Sequence, residues 1–79
     1  DIIMEKKLAT LRILPTGLGY LNVRDNPSLK GEVVIKVIPD ETYTYIDEKD
    51  GWYKIILPDE KTGWVFGEYV EIVNIDITL

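Results

Sequence analysis

The chain has 79 residues, no cysteine, no histidine and a formal net charge of -5 from 14 acidic and 9 basic side chains. That length holds one small domain, which buries about 60% of the surface its unfolded chain exposes, and the missing residue types exclude a disulfide framework and ordinary zinc sites. The bases are scattered, with Lys6-Lys7 the only adjacent pair, which argues against nucleic acid or an anionic membrane surface as partner, because both call for a basic face.

Apolar residues recur with period two rather than 3.6, and Gly, Pro or β-branched residues interrupt every stretch long enough for a helix, so an all-β chain is expected. A first strand runs from Leu8 to Leu14 and ends at Pro15-Thr16-Gly17. Extended chain resumes over Gly19 to Arg24, with Leu21 and Val23 on one face. Asp25-Asn26-Pro27-Ser28 has turn composition, and Glu32 to Ile38 reads as a strand buried on one face and partly covered on the other. Pro39-Asp40 ends it, Thr42 to Tyr45 alternates, and Glu48 to Gly51 turns the chain into Trp52. The next strand ends at Leu57, where Pro58 suits turn position i+1 and Asp59 position i+2. After Gly63-Trp64-Val65-Phe66, the tripeptide Gly67-Glu68-Tyr69 suits a single 3₁₀ turn before a last strand, Val70 to Val73. Five to six short antiparallel strands of this kind make a small, partly open barrel over 8–74, with tails at 1–7 and 75–79. The apolar tail residues Ile2-Ile3 and Ile75 to Ile77 are expected to pair as an edge ribbon or to meet a second chain as a weak homodimer. No apolar run approaches the ~20 residues of a membrane span. The order Asp1-Ile2-Ile3-Met4-Glu5 is not that of an export signal, so any such signal is expected in a longer parent chain.

Little here can do covalent chemistry. Ser28 is the only serine and no histidine exists to activate it. Asp47, Glu48 and Asp50 cluster at a turn where they are expected to be solvated, and with Gly51 as the loop glycine the calcium-loop ligand positions fall on Ile46 and Leu57, so that motif fails. No enzyme activity, cofactor or metal is expected.

What the chain does have is aromatic surface. Both tryptophans lie on one hairpin, as Gly51-Trp52 and Gly63-Trp64. The two-residue period puts Tyr53, Ile55 and Leu57 toward the core and Trp52 with Lys54 on the other face. There Trp52 either exposes a large aromatic surface or covers the barrel edge against a loop, while either Trp64 or Val65 faces inward. Tyr43 and Tyr45 are expected to pack inward or across strands.

Three segments in order, Tyr20-Leu21-Asn22-Val23-Arg24-Asp25-Asn26-Pro27-Ser28, Asp50-Gly51-Trp52-Tyr53-Lys54-Ile55 and Lys61-Thr62-Gly63-Trp64-Val65-Phe66-Gly67-Glu68-Tyr69-Val70, resemble the bacterial Src homology 3 domain. The resemblance implies a barrel of two packed antiparallel sheets. It further implies a non-catalytic accessory domain of an exported, cell-envelope or extracellular protein, which targets a larger parent and its neighbouring domains to peptidoglycan or its peptide. The competing implication is a structural or protein-interaction module that binds no wall. In eukaryotic relatives, a peptide groove is built from aromatics at positions similar to Tyr20, Trp52 and Tyr69, with Phe66 standing where proline is usual. The resemblance thus points to a groove of Tyr20, Trp52, Phe66 and Tyr69, flanked by Asp47, Glu48 and Asp50, that takes an extended peptide or glycopeptide carrying an amine. Arg24, Asn22 and Asp25 are expected to be mainly structural, with Arg24 pairing an acid or a carbonyl. Ile35, Asp40 and Glu60 replace glycines common in the family, so their turns are expected to use right-handed conformations.

Overall fold

The computed structural model describes residues 9–73, and the two apolar tails lie outside them. Seven strands form: β1 Thr10–Ile13, β2 Leu21–Arg24, β3 Val33–Val37, β4 Thr42–Lys49, β5 Trp52–Ile56, β6 Thr62–Phe66 and β7 Val70–Ile72, with a 3₁₀ turn at Gly67–Tyr69 between β6 and β7. They make one antiparallel sheet in the order β3-β2-β6-β5-β4-β1-β7, which does not close. This is the expected all-β barrel-like fold, with one strand beyond the expected five to six.

β4 makes the curvature. Its first half pairs with β1, as Leu11↔Tyr43, and its second half with β5, as Glu48↔Tyr53. Between the halves Ile46 is an extra residue, since Tyr45 pairs with Ile55 and Asp47 with Lys54. A bulge of this kind bends a strand and increases its twist. The two ends of the sheet therefore share one core, in which Leu11 and Ile13 from β1 meet Leu21 and Val23 from β2, Ile55 from β5 and Val65 from β6. Each such side chain, fully buried, contributes about 1.5 to 3 kcal/mol. Tyr43, Tyr45 and Tyr53 pack against this cluster, and Tyr45 meets Tyr53 edge-on at 5.0 Å.

β3 corrects an expectation. Val33, Val34 and Ile35 are exposed, and of this strand only Val37, opposite Leu21, is buried. The reason is position: β3 is an edge strand with β2 as its single partner, and a bulge opposite Val23 and Arg24 leaves Val34 unpaired. An apolar run signals burial only when something covers both faces.

The turns bring a second correction. Asp40 (φ 74°) and Glu60 (φ 71°) take the left-handed conformation they were expected to avoid. In Ile38-Pro39-Asp40-Glu41 the Glu41 amide bonds the Ile38 carbonyl at 3.3 Å, and Pro39 followed by positive φ matches a type II turn. In the β5–β6 hairpin the Glu60 amide bonds the Leu57 carbonyl at 2.8 Å, so Pro58 and Asp59 occupy i+1 and i+2, and Glu60 then takes the left-handed position of a three-residue loop. Pairing of β5 with β6 closes the Glu60 loop, and backbone bonds of Asp40 and Glu41 to Ile13 of β1 hold the other turn, so that φ is imposed whatever residue is present. The β4–β5 loop, Asp50-Gly51, has positive φ at both residues and is a type I′ turn by that criterion.

Gly63 has a packing reason. A Cβ there would collide with the Val23 side chain and lie 3.3 Å from the Arg24 carbonyl oxygen. The first of the two Gly-Trp glycines shapes a turn, and the second lets β6 pass close over β2.

Candidate functional site

The two-residue alternation of β5 and β6 sends Trp52 and Phe66 to the face opposite the core, where they are cross-strand partners with ring centroids 5.1 Å apart. Phe66 in turn meets Tyr69 from the 3₁₀ turn at 6.0 Å. The backbone fixes this row at two points. The Gly67 amide donates to the Gly51 carbonyl at 2.8 Å, tying the 3₁₀ turn to the β4–β5 hairpin, and the Leu14 amide donates to the Tyr69 carbonyl at 2.9 Å. Gly67 admits no side chain, because a Cβ would strike the Gly51 carbonyl oxygen and the Tyr53 ring.

The row forms the floor of an open groove of about 160 Å³, which Tyr20 also lines. All four expected aromatics are thus brought together. Trp52 resolves toward the covered alternative: it lines the groove but is only 6% exposed, while Tyr69 is 37% exposed. Trp64 is buried on the same side of the sheet, under Lys54, whose Nζ lies 5.9 Å from the ring, and Val65 is the member of that pair that enters the core.

One wall of the groove is the loop between β1 and β2. Thr16 Oγ1 donates to the Tyr20 carbonyl at 2.7 Å and accepts the Leu18 amide at 3.2 Å, while Gly17 and Gly19 take positive φ. The loop holds Leu18 outward at the groove, 69% exposed. Leu29 of the β2–β3 loop also lines the groove and is 68% exposed. That second loop is organised by Asp25, whose Oδ1 accepts from the Glu32 amide and the Asn26 side chain. Arg24 braces it, donating from its guanidinium to the Gly31 carbonyl at 2.8 Å, in line with the expected carbonyl partner.

Between the loops, β2 contributes Asn22 and Arg24. Asn22 Oδ1 is shielded from solvent and has no hydrogen-bond partner among the described residues. Asp47, Glu48 and Asp50, expected to flank the groove, are exposed on the β4–β5 hairpin and none of them lines it. The charged side chain that does is Arg24. Family-pattern reasoning passed over Leu18, Leu29 and Arg24, because two lie in loops whose course is set by side-chain bonds and the third carries a visible bracing role. No group of three or more carboxylates is arranged to hold a metal ion among the described residues, and no helix there is long and apolar enough to cross a membrane.

Two tyrosines outside the groove titrate high. Burial, then the hydrogen bond to Glu41 and its charge, push the Tyr43 phenol up to about 12. Burial, then the charges of Glu48 and Tyr45, raise that of Tyr53.

No match was found among curated proteins. The sequence model of the bacterial SH3 domain matches residues 19–71, more than half of the chain and the stretch that carries most of the groove. With that match on an open antiparallel barrel, the chain belongs to the bacterial SH3 domain family, a family of binding modules.

Proposed function

We propose that this domain targets a larger exported bacterial protein to the cell wall, by holding peptidoglycan or its stem peptide in the groove floored by Trp52, Phe66 and Tyr69. The single observation that carries this reading is the groove itself: aromatic rings held in a row by strand register and two backbone hydrogen bonds, next to exposed Leu18 and Leu29. Apolar surface of that kind on a small domain marks an interaction site, and rigid rings supply contact area at little entropic cost. An extended peptide with alternate side chains fits such a channel better than a compact ligand does.

The test is co-sedimentation with purified peptidoglycan. Trp52 is too buried to be the first substitution, since removing a ring that supports Phe66 costs about 3 to 5 kcal/mol. Tyr69→Ala and Tyr20→Ala remove exposed or half-buried groove rings instead. Retention of the parent domain, reduced about tenfold or more in these variants while their spectra stay folded, is the expected result. Absence of retention would favour a protein-interaction module of the envelope.

A further inference from the structure

We propose that the groove selects its ligand by negative charge, with the Arg24 guanidinium receiving a carboxylate of an extended peptide whose apolar side chains lie between Leu18 and Leu29. The proposal rests on the groove being the ligand site, and it sets the sign opposite to the amine that the acidic hairpin suggested.

Arg24 is half-buried and lines the groove. A guanidinium has five N–H donors in a fork that matches a carboxylate, and the protein uses one bond here, to the Gly31 carbonyl. Among the described residues no carboxylate pairs with Arg24: the ion pair there is Arg12 with Glu71, across β1 and β7. The adjacent Asp25 directs Oδ1 to Glu32 and Asn26. A partly desolvated cation without a counterion is costly and is normally compensated. In a chain of net charge -5 it is conspicuous.

The surrounding face has the same sign. β2, β6 and β5 bring Arg24, Trp64 and Lys54 into one cross-strand row. Lys36, opposite Asn22 on β3, holds its Nζ 4.7 Å from the Tyr20 ring centroid. Three cations thus stand on or beside the groove face, and the hairpin acids do not line it. The occupant is a peptide rather than a nucleic acid, because the whole chain repels phosphate backbones and the lips of the groove are aliphatic.

The experiment is an NMR titration of the ¹⁵N-labelled domain with three capped pentapeptides. Ac-Ala-Leu-Gln-Leu-Ala-NH₂ has no carboxylate, Ac-Ala-Leu-Glu-Leu-Ala-NH₂ has one on a side chain, and Ac-Ala-Leu-Gln-Leu-Ala-OH has one at the C-terminus. Both carboxylate peptides are expected to bind about tenfold more tightly than the neutral one, as a charge-assisted hydrogen bond supplies, and to lose that margin in high salt. The tighter of the two identifies the carboxylate source. Arg24→Gln should abolish the preference, Arg24→Lys should keep part of it, and Lys54→Gln should leave it in place, each variant first checked for a native spectrum. Equal binding of all three peptides in the groove would overturn the charge selection and leave the groove standing. A preference that survives Arg24→Gln would also overturn it. Absence of binding by any peptide would overturn both.

Discussion

Asp40 and Glu60 are the residues where local chemistry and imposed backbone disagree most openly. Positive φ costs an L-residue about 1 to 2 kcal/mol, and glycine gives back about 0.5 to 1 kcal/mol of that through its greater unfolded-state freedom. Glu60→Gly is therefore expected to stabilise the domain by about 0.5 to 1 kcal/mol, raising Tm by about 2 to 8 °C in a domain of this size; thermal melting followed by circular dichroism checks it, and a lower Tm would refute the strain. Asp40→Gly should gain less, because aspartate tolerates this conformation. Tyr43 offers a test in pH. Its phenol titrates near 10 when unfolded and near 12 in the fold, so the folded state prefers the proton. That contribution is fully present below pH 10 and is lost as pH rises toward 12. Ultraviolet titration of the phenolates should show a component near pH 12 that is lost in Tyr43→Phe, while the raised component of Tyr53 persists.

At the scale of strands and turns, the elements that could be read from the sequence were those whose cause is local. Period-two alternation marked β2, β5 and the first half of β4, and Pro58-Asp59 and Asp50-Gly51 marked the hairpins. The exposure of Val33, Val34 and Ile35 could not be read, since it depends on β3 having a single neighbour, nor could the left-handed turns, since loop closure imposes them. The site divided likewise. Four rings could be placed on a groove from the family pattern, but the depth of Trp52 depends on Phe66 beside it, and the place of Arg24 on the groove depends on the course of two loops. The close approach of β6 to its neighbour β2 gives a prediction at this scale: Gly63→Ala forces Val23 or the Arg24 backbone to move and should cost about 1 to 3 kcal/mol, read from the denaturant midpoint. Gly67→Ala should loosen the 3₁₀ turn from Gly51 and disturb Tyr69 with it. The exposed Arg12–Glu71 pair, by contrast, is worth about 0 to 1 kcal/mol.

On the scale of the molecule, one curved sheet keeps two jobs apart. Its inner face holds the aliphatic core that a chain of 79 residues needs for stability, and its outer face, with the two loops beside it, holds rings, two exposed leucines and a cation that no carboxylate among the described residues pairs. That separation means groove residues can be changed at modest cost to folding, provided Trp52 is left in place. The central claim is that the aromatic groove is where this domain meets its ligand. Mapping soluble peptidoglycan fragments onto the ¹⁵N spectrum tests it most directly. The account predicts shift changes concentrated at Tyr20, Phe66, Tyr69, the Trp52 indole and the Arg24 side chain, saturating together; changes confined to the edge strand Val33–Val37 or to the Asp47–Asp50 hairpin would contradict it.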